Sequence, residues 1–367
     1  MSRHTAASTA LNIAELRALA RRHRGIADSL ALDPDRAAAR LDAKDIPALY
    51  WTAASWGSAI SLGKDKPEML ADLPAIRALV NRGLALDERY EAGAFHEASI
   101  VLDALPAAMG GSPDARCEKV DAGGVPAEWV AAPGIDGQRA VLYLHGGGYA
   151  IGSINTHRRL AYDISAASGA RVLVIDYRLA PEHPFPAAVE DAAKAWRWLL
   201  QQGLAPNRLA IAGDSAGGGL TVATLVNLRD QRLALPACAV AISPWVDLDG
   251  VGTSMTARAS QDPMVQKAGL KWMADMYLAG QDTKSPLAAP LHADLKGLPP
   301  VLVQVGTAET LLDDATRIAE KLHSADVEVR LAIWPNMLHV FPFFAPILSE
   351  GRDGCIEIGN YIRAKTA

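Results

Sequence analysis

The sequence predicts an α/β protein: a mostly parallel central sheet flanked by helices, with a helical extension at the N-terminus. Three observations predict it. Short, β-branched and nearly unbroken apolar runs recur after residue 113, as strands buried on both faces should. Segments of helical length separate them, and strand–helix alternation of this kind builds a parallel sheet covered on both sides. Glycine-rich turns directly follow two of the runs, at the carboxyl ends of strands where such sheets bind ligands. The 367 residues, half of them hydrophobic, suffice for one large domain with an appendage.

Residues 1–112 form the extension. Ile13 to Ala20 has helical spacing, and the basic run Arg21 to Arg24 reads as a solvated helix face. Asp33-Pro34 and Pro47 punctuate further short helices. Tyr50-Trp51 and Trp56, near Gly57 and Gly63, make an aromatic segment without clear period, read as packing. Leu73 to Val80 is another helical piece.

Gly110-Gly111-Ser112-Pro113 breaks this region, and the α/β domain over 113–367 follows. Cys117 to Val120 and Val125 to Ala131, joined by Asp121-Ala122-Gly123-Gly124, predict a hairpin. The remaining strands are expected at 140–144, 172–175, 209–212, 239–242, 301–305 and 329–333. Helices are expected at 158–167, 187–200, 220–229, 270–277, 314–322 and 352–364, with an excursion over about 251–280 that carries Met255, Met264, Trp272, Met273 and Met276.

Composition excludes several functions. A net charge of −5 and a pI near 6.0 give no support for nucleic-acid binding. Cys117, Cys238 and Cys355 are too scattered for a disulfide framework or a zinc site. The N-terminus has no apolar core of signal-peptide length, and no run approaches the roughly 18–20 apolar residues of a membrane helix, so a cytoplasmic protein without membrane insertion is expected. His96-Glu97 meets Ile100 where a second zinc-binding histidine would be needed, and Gly63-Lys64 is followed by Asp65 where a phosphate loop needs Ser or Thr. No metal and no cofactor are expected.

The chemistry-bearing stretch is Gly213-Asp214-Ser215-Ala216-Gly217, between an apolar run and a helix-forming one. G-x-S-x-G in a strand–turn–helix context holds a serine in a sharp turn, its hydroxyl clear of the sheet and the free N–H groups of a helix beside it. A glycine-rich turn with an exposed serine is the plainer reading of this pattern alone. His145-Gly146-Gly147-Gly148 follows an earlier strand and suits backbone donors aimed at a developing oxyanion. His145 is read as fixing that loop, and the proline-rich loop 176–186 as rigid scaffold. His339, on the loop after the last strand, is the candidate base, and His292 and His323 are read as structural. The acid should lie after the penultimate strand, where Glu309, Asp313 and Asp314 compete. Asp313 and Asp314 suit the start of a helix, so Glu309 is preferred, and Asp247 and Asp262 are weaker because they precede that strand. Tyr149, Asp214 and Phe341, beside these motifs, are expected to contact substrate.

With these residues in place, the glycine loop, the elbow and Asp176-Tyr177-Arg178-Leu179-Ala180-Pro181-Glu182 together resemble the hormone-sensitive-lipase-like esterases, bacterial family IV of the α/β-hydrolase fold, over residues 115 to 365. The resemblance implies Ser215 as nucleophile, His339 as base, and the N–H groups of Gly147, Gly148 and Ala216 as oxyanion donors. The family's acid is usually Asp in a D-P-L-x-D pattern, and Glu309-Thr310-Leu311-Leu312-Asp313 stands in that place. The resemblance also implies a small-molecule ester of short or medium acyl chain as substrate and a homodimer through the edge near the last strand. An amidase, lactonase or acyltransferase on the same triad, or a non-catalytic small-molecule receptor of the same fold, are the alternatives.

Overall fold

The computed structural model describes residues 20–45 and 114–367. The chain divides into two compact units, Met1–Val101 and Leu102–Ala367. In the first unit, α1 (Ile26–Leu32) and α2 (Pro34–Ala38) meet at Asp33, whose carboxylate accepts the Arg36 N–H while Pro34 opens the second helix. Ile26, Leu30, Ala37, Ala38 and Leu41 are buried. The basic run is partly neutralised within the unit: Arg22 and His23 both reach the buried Asp45 at 2.8 Å. The expectations placed on residues 13–19, Pro47, the aromatic segment around Tyr50 to Gly63, and Leu73 to Val80 lie outside the described residues.

The described residues of the second unit hold eight strands: β1 (Arg116–Asp121), β2 (Pro126–Ala131), β3 (Ala140–Leu144), β4 (Arg171–Ile175), β5 (Leu209–Asp214), β6 (Cys238–Ile242), β7 (Val301–Gly306) and β8 (Val329–Trp334). They form one sheet in the order β1-β2-β4-β3-β5-β6-β7-β8. The β1–β2 and β2–β4 pairs are antiparallel and every other pair is parallel. Alternate residues of the central strands feed two separate cores. Leu142, Leu144, Leu173, Ile211 and Val303 face α4 (Ala187–Gln201), α5 (Ala216–Asp230) and α8 (Leu312–Ser324). Val141, Tyr143, Val172, Ala212 and Val240 face α3 (Ile154–Ser168) and α9 (Ser349–Lys365). Burial of both faces is why these strands read as continuous apolar runs.

Each anticipated helix after residue 113 is present, and most begin earlier than their apolar spacing suggests. Ser153 caps α3 through the N–H groups of Asn155 and Thr156, so that helix starts at Ile154. The excursion after β6 carries α6 (Ser254–Ala257) and α7 (Lys267–Leu278). Met255 is buried, Met273 and Met276 pack partly against the core, and Met264 is exposed. Among the described residues no helix is long and apolar enough to cross a membrane.

Candidate active site

The strands that carry the motifs end level with one another. Leu144 pairs with Gly213, Asp214 with Ile242, and Gly306 with Trp334. The loops leaving β3, β5, β6, β7 and β8 therefore start from one edge of the sheet.

Ser215 stands between β5 and α5 with φ 55° and ψ −122°, a conformation outside the usual regions for a residue with a Cβ. Such a backbone costs about 1–3 kcal/mol and persists only where its surroundings hold it. Here its N–H donates to Ile242 O at 2.8 Å, and its carbonyl accepts the N–H groups of Trp245 (2.9 Å) and Gly219 (3.1 Å). Gly217 must be glycine, because a Cβ there would be driven into the carbonyl oxygens of Leu144 and His145. The elbow and the end of β3 are thus in backbone contact.

That contact sets the glycine loop beside the serine. Gly147 and Gly148 have φ of 120° and 60°, and the Gly147 carbonyl accepts from Ala150 and Ile151. Among the described residues, the N–H groups of Gly147, Gly148 and Ala216 donate to no acceptor, whereas that of Gly146 is spent on Asp214 Oδ1 at 3.2 Å. A Cβ on Gly148 would strike the Met273 side chain of α7, so the excursion lies directly against this loop.

His339 Nδ1 donates to Glu309 Oε2 at 2.9 Å. The other carboxylate oxygen of Glu309 accepts from Gly306 N–H at 2.6 Å and Ser243 Oγ at 2.8 Å. Ser243 Oγ in turn accepts the Val340 N–H at 3.1 Å, so one hydroxyl joins the acid to the residue after His339. Two residues on, Trp245 holds the Ser215 carbonyl. The short loop Ser243-Pro244-Trp245 therefore laces together the three segments that carry Ser215, Glu309 and His339. Burial raises the Glu309 carboxyl above the ordinary carboxylate range, although the bonds from His339, Gly306 and Ser243 pull against it. Burial pulls the His339 imidazole down, but the hydrogen bond and charge of Glu309 outweigh it, with Asp262 and Asp214 adding, and its pKa stands above the usual histidine value.

The competing carboxylates are engaged elsewhere. Asp313 accepts from Thr253 Oγ1 (2.7 Å) and Ser254 N–H (3.0 Å). Asp314 accepts from the N–H groups of Val246 and Asp247, both at 3.0 Å. Asp247 pairs with Arg317 at 2.6 Å. Of Glu309, Asp247, Asp313 and Asp314, Glu309 alone has a described hydrogen bond to His339.

A family model described as alpha/beta hydrolase fold matches residues 141–343. An acetyl-hydrolase of Streptomyces hygroscopicus is 49% identical over 247 residues, covering 67% of this chain and 82% of that protein. A crystal structure of an esterase from the bacterial hormone-sensitive lipase family superposes with a TM-score of 0.74 at 47% identity, covering 77% of this chain and 94% of the other. The chain belongs to the hormone-sensitive-lipase-like esterases. Membership makes it a carboxylic ester hydrolase of the α/β-hydrolase fold. An esterase of Acinetobacter venetianus is 33% identical over 71% of this chain and 86% of its own length. A second family model, described as TRAP transporter T-component, matches residues 7–119, which lie wholly outside the hydrolase match.

The scaffold of this esterase is built by residues around the motifs. His145 is buried, stacks on Tyr177 with ring centroids 4.2 Å apart, and donates from Nδ1 to the Gly146 carbonyl. Burial lowers its pKa to about 3, so it is neutral and cannot serve as a proton shuttle near neutrality. The 176–186 loop is scaffold as expected: Asp176 accepts the Ile154 N–H at the start of α3, Tyr177 donates to the His145 carbonyl, and Arg178 forks onto Asp191. The three residues expected to contact substrate are all buried, as Ser215 and His339 are. Tyr149 is buried in a parallel stack with Tyr277, ring centroids 3.8 Å apart. Asp214 is buried and takes Tyr143 O–H at 2.7 Å and the Gly146 N–H. Phe341 is fully buried against Trp334. Each stands in or beside a motif in sequence, and its side chain is packed against neighbouring residues. Ser243, which the sequence reading missed, carries no motif: it is a lone serine in Ala241-Ile242-Ser243-Pro244-Trp245.

Proposed function

We propose that Ser215, Glu309 and His339 act as nucleophile, acid and base in hydrolysis of short- to medium-chain acyl esters through an acyl-enzyme. His339 takes the Ser215 proton as the hydroxyl oxygen attacks the ester carbon. The carbonyl oxygen becomes an oxyanion, met by the N–H groups of Gly147, Gly148 and Ala216. Donors of this kind, fixed before the reaction, contribute about 3–4 kcal/mol each. The imidazolium passes its proton to the leaving alcohol. Water then attacks the acyl-serine with His339 as base again, releasing the acid and restoring Ser215. Glu309 orients the imidazole and stabilises its charged form without taking the proton.

The observation that carries this reading is the buried Glu309–His339 hydrogen bond, held from the same loop that holds the strained Ser215. The three unspent N–H groups at the elbow and the glycine loop support it. Acetyl and butyryl esters of a chromogenic phenol test it. The wild type should show turnover with a measurable burst, and Ser215→Ala should show neither. An active Ser215→Ala protein would sink the mechanism.

A further inference from the structure

Asp262 lies in the excursion between α6 and α7, well before the acid in sequence, and it is buried. One of its carboxylate oxygens accepts the N–H groups of Met264 (3.0 Å) and Val265 (2.9 Å), closing a tight turn on itself. The other reaches across to Thr310, the residue directly after Glu309, and accepts both its N–H (2.8 Å) and its hydroxyl (3.1 Å). Two further contacts come from the same segment. The Thr310 hydroxyl lies within 3.1 Å of the Val265 carbonyl, and Ser254 Oγ donates to the Thr310 carbonyl at 2.6 Å. The N–H, hydroxyl and carbonyl of one residue are all gripped from the excursion.

We propose that Asp262 is a positioning residue for Glu309: it fixes the peptide that follows the acid, and through it the reach of the Glu309 carboxylate to His339. The inference rests on the roles given to Glu309 and His339 above. Glutamate has one more rotatable bond than the aspartate usual in this place, and ordering such a side chain costs up to about 2 kcal/mol. A backbone held on every side limits that freedom. No arginine or lysine among the described residues pairs with Asp262, so its charge is met only by N–H and O–H dipoles. Three carboxylates act on the His339 ring: Glu309 from the β7–α8 loop, Asp262 from the excursion and Asp214 from the end of β5. Asp262 thus both steadies the acid and adds to the field that favours the imidazolium.

Asp262→Asn keeps the shape and removes the charge. Whichever way the amide turns, its NH2 faces N–H donors. Expected results are a fall in kcat of about tenfold or more, a KM within about twofold, and an acid limb of kcat/KM moved down by about 0.5 pH unit, a threefold change in the His339 proton equilibrium. Titration of the His339 ring by NMR in the full chain should show the same displacement without any turnover. Thr310→Val keeps the charge and removes part of the tether, so kcat should fall while the limb stays in place. A folded Asp262→Asn protein with kcat within twofold of wild type and an unmoved His339 titration would overturn the proposal. Should Asp262→Asn fail to fold, the double variant Thr310→Val with Ser254→Ala decides instead, and unchanged kcat there overturns it. An active Ser215→Ala control defeats the triad reading separately, while the ring titration still reports on Asp262.

Discussion

Ser243 offers the sharpest test of how the site is held. Ser243→Ala deletes one hydroxyl and nothing else. The residue sits at φ 44°, where alanine is as strained as serine, so the backbone term cancels. Two bonds are lost. The one to the Glu309 carboxylate, 2.8 Å long and buried, belongs to the class worth about 1.5–3 kcal/mol. The Val340 N–H, bonded at 3.1 Å, loses its acceptor, which costs about 1–3 kcal/mol more. The sum is about 2.5–6 kcal/mol. For a domain of this size that lowers Tm by roughly 5 to 20 °C in a calorimetric scan. At 1.36 kcal/mol per decade, the Glu309 bond alone predicts a fall in kcat/KM of about 10- to 100-fold. The pH profile supplies an independent sign. A carboxylate with one donor fewer is more basic and holds the imidazolium more tightly, so the acid limb should move to higher pH. A variant with Tm within about a degree of wild type, kcat/KM within twofold and the limb unmoved would refute the idea that this hydroxyl ties acid to base.

Other outcomes follow from the same geometry. Glu309→Gln should cost orders of magnitude in kcat/KM, while Asp313→Asn, whose carboxylate bonds Thr253 and Ser254, should cost much less; the reverse order of rates would move the acid assignment. Wild-type kcat/KM should rise with pH as His339 loses its proton, with a midpoint above the usual imidazole value, since Glu309, Asp262 and Asp214 outweigh burial; a flat profile from pH 5 to 8 would count against His339 as base. Asp314 is buried and raised to about 7, so the native state binds a proton that the unfolded chain has already released, and stability should fall as pH rises through 7. At about 1.36 kcal/mol per unit this is about 2 kcal/mol between pH 5.5 and 8. Asp314→Asn should flatten that part of the stability–pH curve, and denaturant titrations at the two pH values would measure it.

The sheet was legible because its residues obey one simple rule. Leu142 and Val141 face opposite cores, yet both are apolar, and the same is true along β4, β5, β6 and β7. All eight strands could therefore be seen as apolar runs or as a hairpin. Helix starts were harder. α5 begins at Ala216, not at Leu220, because Gly217 to Gly219 have poor helix propensity and are helical through the close backbone contacts they allow. The elbow, the glycine loop, His339 and Glu309 could be picked out because each follows a strand. Side-chain burial could not. Tyr149 and Phe341 stand beside motifs in sequence, but packing decides where a ring sits, and both rings are buried. Ser243 escaped, and Asp262 was weighed only as a weaker acid, for a related reason. Their importance lies in partners 66 and 48 residues away, which no local pattern records.

The grip of the excursion on Thr310 bears on how this enzyme could be remade. The segment between β6 and β7 invites exchange for a segment from another hydrolase, because its Met273 lies against the glycine loop and it does not belong to the sheet. Here such an exchange would not be neutral toward the chemistry. Residues 254–265 carry three of the groups that hold the acid loop, so a transplanted segment would bring new walls and remove the old support together. A working chimaera would have to move Ser254, Asp262, Val265 and Thr310 as one inherited block, with its crossovers drawn outside them.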